Sequence, residues 1–253
     1  MKQHSLSRTE LLVGKEALEK LSNSKVVVFG LGGVGSFTLE ALVRAGVGHL
    51  ILVDDDTVCL TNINRQIHAN FDTISKPKVE VLRDRVLRIN PKCTVEIHQT
   101  FVKEDNIAEI IPLDTDYVVD AIDTVSSKLS LIVWCKEHNI DIISCMGTGN
   151  KLDPTRFKIV DIYDTKICPL AKVMRYELRK REIKNLKVLF SDEMPMKPKL
   201  EEVVTCKEGC VCTGGTKKCS AKRQIPGSIS FVPPVAGMII GGEVVKDIIK
   251  EYI

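Results

Sequence analysis

The chain has 253 residues, of which 44% are hydrophobic and 27% charged; that is ample for a buried core and excludes disordered, collagen-like and fibrous classes. A formal net charge of +3 is too small to imply nucleic-acid binding by itself. The longest uncharged stretches, residues 26–39 and 224–242, are glycine-rich, and residues 1–10 are polar, so the sequence predicts a cytoplasmic protein with no membrane span and no signal peptide.

From residue 25 onward, short β-branched runs alternate with amphipathic stretches of helical length, the pattern of βαβ units and a mainly parallel sheet. An amphipathic helix, or pair of helices, is expected over 7–21. Strands are expected at 26–29, 50–53, 95–98, 117–121 and 140–144, with helices at 33–45, 78–89, 105–111 and 127–137 between them. After Asp153-Pro154 an extended segment carries Phe157, Ile159 and Ile162, and a basic helix follows near 170–184. Residues 191–226 read as one long loop, then a short strand at 228–232 and an apolar helix at 235–250. The expected fold is α/β, a Rossmann-like, mainly parallel sheet with helices on both faces, continued by a mixed C-terminal part. Residues 1–253 form a single nucleotide-binding domain in this reading.

Gly30, Gly32 and Gly35, with Gly33 between them, follow a hydrophobic strand and open a helix, the context GxGxxG requires. Glycines permit a tight turn and close backbone approach to phosphate, and the helix N-terminus offers amide groups with partial positive charge. Asp54 ends the second strand, where a carboxylate can accept hydrogen bonds from ribose. Alone, this pattern fits an NAD-binding oxidoreductase. The following loop, with Asp56, Asn62, Arg65, Gln66 and then Lys78, adds cations on the same side of the sheet, which suits the larger charge of a triphosphate.

GxGGxG, Asp-x-Asp, Asn-x-x-Arg-Gln, Pro-Lys and Asp-Ala-Ile-Asp at 120–123 occur in that order. The sequence thereby resembles the superfamily of ubiquitin-activating enzymes and bacterial adenylyltransferases for sulfur-carrier proteins. The resemblance implies ATP as cofactor. Asp54 and Asp56 would lie on its ribose side, Asn62, Arg65 and Lys78 at its phosphates, and Asp123 on Mg²⁺; Gly30, Gly32, Gly33, Gly35 and Gln66 complete the nucleotide-binding set. It also implies a homodimer in which Arg8 reaches the partner's phosphates, so that Arg8, Arg65, Lys78 and Asp123 form the catalytic group.

Several segments are similar to the tRNA threonylcarbamoyladenosine dehydratase branch of that superfamily: the start at 7–18, Asn-Arg-Gln-Ile-His-Ala at 64–69, Arg-Ile-Asn-Pro at 88–91 and Gly-Thr-Gly-Asn-Lys-Leu-Asp-Pro-Thr at 147–155. That likeness implies adenylation of the threonyl carboxylate of the modified adenosine next to the tRNA anticodon, followed by ring closure, and a sulfur-relay protein as a further partner. The alternative is an adenylyltransferase acting on the C-terminal Gly-Gly of a small sulfur carrier. Such enzymes usually carry two CxxC pairs for zinc, and none occurs here.

Nine cysteines in a chain with no export signal are expected as reduced thiols. Cys206, Cys210, Cys212 and Cys219 are clustered, and three readings stay open: a soft-metal site for Zn²⁺, a reactive thiol, or unliganded thiols. Residues 166–187 hold eight Lys or Arg against two Glu. Lys172, Arg175, Arg179 and Lys180 recur near helical spacing, as either an RNA-contacting face or a solvated one.

Overall fold

A computed structural model describes residues 3–199 and 226–253. Strands β1 (Lys25–Phe29), β2 (His49–Val53), β3 (Thr94–His98), β4 (Tyr117–Asp120), β5 (Asp141–Cys145), β6 (Phe157–Asp161) and β7 (Lys187–Ser191) form one sheet in the order β3-β2-β1-β4-β5-β7-β6. All neighbours are parallel except β6, which pairs antiparallel with β7 at the edge. The central strands are nearly continuous apolar runs because both of their faces are covered. Helices α1 (Ser7–Asn23), α2 (Gly35–Ala45), α3 (Lys78–Ile89) and α7 (Val232–Ile248) contribute to the core on one face. Those on the other are α4 (Ile107–Ile110), α5 (Val125–Glu137) and α6 (Pro169–Lys180). No helix among the described residues is long and apolar enough to cross a membrane.

The N-terminal helix is broken at Gly14, whose φ of 83° and ψ of 170° leave the helical region. Helix α7 packs lengthwise on α2. A Cβ on Gly237 would lie 2.3 Å from the Val34 carbonyl oxygen, so the two backbones meet where only hydrogen fits, and the Thr38 hydroxyl donates to the Gly237 carbonyl at 3.0 Å.

Four expectations change. No strand forms at 228–232; α7 begins at Val232 instead, because Pro233 and Pro234 fall in its first turn, where the missing N–H is no loss. The basic helix stops at Lys180, where Glu182 takes φ 57° and the Ile183 N–H returns to the Leu178 carbonyl. The helix expected at 105–111 is a 3₁₀ turn at Glu104–Asn106 followed by the single turn of α4. Strand β7 was not foreseen; its five residues pair with β5 and β6.

Candidate active site

The strand order reverses between β1 and β4, and the crevice beyond their C-terminal ends is the place where ligands bind in open α/β sheets. The glycine loop fills the β1 side of that crevice. Gly30 has φ 82°, and a Cβ there would meet the Ala121 carbonyl oxygen at 2.6 Å; one on Gly35 would meet the Gly30 carbonyl oxygen at 1.8 Å. Only glycine lets the loop lie this close to the β4 exit and fold back into α2.

Asp54 braces the glycine loop directly, and Lys78 ties Asp54 to Asp56. The Asp54 carboxylate accepts from the Leu31 N–H at 2.6 Å and the Asp56 N–H at 2.8 Å. The Lys78 ammonium, 4% exposed as a residue, donates to Asp56 Oδ2 at 2.9 Å and lies 3.7 Å from Asp54 Oδ1. Burial pushes the Asp54 carboxyl above its ordinary pKa, against the pull of Lys78. Burial also works against the Lys78 charge, yet the two carboxylates hold its pKa above the usual lysine value. One carboxylate oxygen from each of Asp54, Asp55 and Asp56 lies within 4.8 Å of the others, but with Lys78 seated on two of these residues the cluster already has its cation.

The loop 60–66 supplies the second cation. Arg65 packs its aliphatic stem over Gly33, whose Cβ position lies 3.3 Å from Arg65 Cγ. Its Nη1 donates to the Thr61 carbonyl at 2.9 Å and to Asn64 Oδ1 at 2.8 Å. Burial lowers its pKa, although a guanidinium stays charged at neutral pH. Asn64 Nδ2 in turn donates to the Ser228 carbonyl at 3.0 Å. Asn62 is buried, and its Oδ1 accepts from the Cys59 N–H at 3.0 Å, so it shapes the turn that carries Arg65. Gln66 Nε2 lies 3.9 Å from the Cβ position of Gly32, and its buried Oε1 has no hydrogen-bond partner.

The β4 exit is held by a network that sequence reading missed. Lys128 and Asp120 are both fully buried and paired at 2.9 Å. Asp120 Oδ1 accepts from the Ile122 N–H at 3.1 Å, and Oδ2 from the Ser144 hydroxyl at 2.5 Å. Lys128 also donates to the Ile122 carbonyl at 3.0 Å and the Cys145 carbonyl at 2.9 Å. The backbone N–H and carbonyl of Ile122 are therefore both fixed one residue before the exposed Asp123. The one signal in the sequence was an aspartate closing an apolar strand.

Arg8 is not brought to this site. Leu6, two residues before it, packs on Gly46 at the C-terminal end of α2, whereas the glycine loop opens the other end of that helix. Cys206, Cys210, Cys212 and Cys219 lie outside the described residues, as does most of the 191–226 loop. Of the described cysteines, the buried Cys93, Cys135, Cys145 and Cys168 are free thiols. A polar cavity of about 250 Å³ lies at the other ends of β4 and β5, but its Lys20–Asp116 and Tyr117–Asp247 contacts are already satisfied.

A glycine loop at a topological switch point, with Lys78 and Arg65 beside it and the exposed Asp123 shortly after β4, has the chemistry to receive an anionic group such as a phosphate. The ThiF family model matches residues 6–251, and the chain belongs to the ThiF family. It is similar to the tRNA threonylcarbamoyladenosine dehydratase of Bacillus subtilis, 46% identical over 249 residues, covering 98% of this chain and 96% of that protein. The crystal structure of the Escherichia coli tRNA N6-threonylcarbamoyladenosine dehydratase TcdA in complex with ATP superposes with a TM-score of 0.83 at 31% identity, covering 98% of this chain and 94% of the other. The molybdopterin-synthase adenylyltransferase of E. coli is 36% identical over 126 residues, 50% of each chain.

Proposed function

We propose that this protein uses ATP to dehydrate threonylcarbamoyladenosine in tRNA. The observation that carries the reading is the near end-to-end match to dehydratases, against a match over half the chain to the carrier-activating alternative. The threonyl carboxylate attacks the α-phosphorus of ATP; an acyl–oxygen–phosphorus bond forms, the bond to the β-phosphate bridge breaks, and pyrophosphate leaves. A nucleophile of the ureido group then attacks the activated carbonyl, loses its proton, and expels AMP as the ring closes. One carboxylate oxygen departs on AMP, so the RNA loses the elements of water.

Each cation has a part in this scheme. Lys78, held at a raised pKa between Asp54 and Asp56, and Arg65, held by Asn64, stabilise charge on the phosphates. Asp54 keeps the glycine loop in place through Leu31. Asp123 is an exposed hard-oxygen donor at the β4 exit and suits Mg²⁺, which would neutralise phosphate charge when bound. Arg8, placed away from its own site, would act on a second copy's site in a homodimer, and a cytoplasmic location belongs to the same proposal. The test is AMP and pyrophosphate formation from ATP: tRNA carrying threonylcarbamoyladenosine should stimulate it strongly, and a carrier protein ending in Gly-Gly should not. The reverse pattern would favour carrier activation.

A further inference from the structure

Helix α6 divides the basic segment in two. Ala171, Met174 and Leu178 are buried, and the i, i+3, i+7 spacing turns the opposite face outward. Arg175 does not belong to that face: its Nη1 donates to the Thr165 carbonyl at 2.9 Å and to the Thr165 hydroxyl, tying the preceding loop to the helix. Arg181 is engaged by Glu177 at 2.7 Å. Lys172, Tyr176 and Lys180 do belong to it, four residues apart in one stripe and all exposed, with Tyr176 at 60%. The Lys180 ammonium lies 4.2 Å from the centre of the Tyr176 ring. Glu177 lies beside the stripe, 3.6 Å from Lys180, but it serves two cations, so the face stays net positive. At its lower end Arg179 sits 5.1 Å over the Tyr163 ring, beside an open groove of about 370 Å³ also lined by Lys184.

We propose that the Lys172–Tyr176–Lys180 stripe docks the RNA substrate, the lysines receiving backbone phosphates and the tyrosine ring stacking on an unpaired base. The inference rests on the tRNA reading above. Its position fits: Cys168, the residue before α6, has its sulfur 3.6 Å from the Cβ position of Gly147, which follows β5 at the C-terminal end of the parallel strands, as the glycine loop follows β1. From that end the stripe runs away by about 12 Å, eight residues at 1.5 Å each. An RNA whose reacting nucleotide enters the crevice has its flanking chain within reach of it. An acidic peptide would pair with the two lysines but gains little from an exposed ring between them, whereas unstacked bases use such rings as platforms.

The test measures binding of the full-length protein to a tRNA transcript across a salt series, with ATP binding followed in parallel. Lys172→Ala with Lys180→Ala should reduce the slope of log affinity against log salt by about 1.5 to 2, the value for two released phosphate contacts. Tyr176→Ala should weaken binding about five- to a hundred-fold with the slope unchanged, and Tyr176→Phe should restore it. ATP affinity should not move in any variant. Lys92→Ala with Lys103→Ala, flanking β3 at the opposite sheet edge, should leave the slope as it is. Equal slope losses in the two lysine pairs would reduce the effect to net charge and overturn the proposal. So would unaltered binding in the stripe variants, or full competition by polyglutamate. A wild-type protein with no affinity for tRNA would instead overturn the tRNA reading itself, and the docking surface with it.

Discussion

Replacing Lys78 with methionine removes the ammonium while keeping most of the aliphatic volume. In the fold that ammonium is 2.9 Å from Asp56 and 3.7 Å from Asp54. Breaking a buried ion pair by removing one partner costs about 3–5 kcal/mol. Here Asp56 is half-exposed and regains water, and Asp54 can take up a proton, so the expected loss is about 1–3 kcal/mol. Asp54 already has a raised pKa in the fold and rises further without its cation. A folded-state pKa above the unfolded value makes the native state bind more protons, so the stability deficit must shrink as pH falls toward the carboxylate range. Urea unfolding of both proteins at pH 7.5 and about pH 5 measures this. Formation of AMP from ATP should fall by roughly 10²–10³, the usual effect of losing one preorganised group at the developing charge. Near-normal turnover, or a deficit that widens on acidification, would refute the assignment of Lys78 as the cation shared between the loop carboxylates and the phosphates.

Asn64→Ala should weaken ATP binding through Arg65, whose guanidinium it holds at 2.8 Å; a double-mutant cycle with Arg65→Ala checks this, and additive losses would show that Asn64 acts independently. His68 is buried with neither ring nitrogen hydrogen-bonded, and its pKa is lowered to about 3, by burial first and then by Lys78 and Arg85. The unfolded chain protonates it near 6.5, so stability should drop as pH falls from there toward 3, by about 2 kcal/mol between pH 7 and 5. His68→Gln should flatten that limb, and identical urea midpoints against pH in both proteins would count against the buried neutral imidazole. An Arg8→Ala subunit mixed with a Lys78→Met subunit should regain part of the activity if Arg8 acts across a dimer; verified heterodimers without rescue would exclude that role.

The parts legible in the sequence were those with a local signature. Strands β1, β2 and β4 are apolar except for one terminal residue each, and Gly30 to Gly35 announces the turn that must follow β1. Asp54 and Asp123, expected at the nucleotide, come shortly after β2 and β4, and Lys78 starts α3, so for these three the topology alone sets where they lie. What was hidden depends on partners distant in sequence. Lys128 reads as a surface charge on α5 until Asp120, Ile122 and Cys145 are seen to surround its ammonium. Asn64 reads as a loop residue until Ser228, 164 positions away, accepts its N–H. Strand β7 has five residues between a basic helix and a loop, and pairing with β5 and β6 rather than intrinsic propensity makes it a strand. Residues 228–232 show the converse, since no strand among the described residues pairs with them.

The most direct test of the account is nucleoside mass spectrometry of tRNA bearing threonylcarbamoyladenosine, incubated with the purified protein and ATP. The modified nucleoside should lose the mass of one water, with AMP formed in proportion, and Lys78→Met should abolish both. Unchanged nucleoside mass under conditions where the same protein adenylates a Gly-Gly carrier would contradict the account.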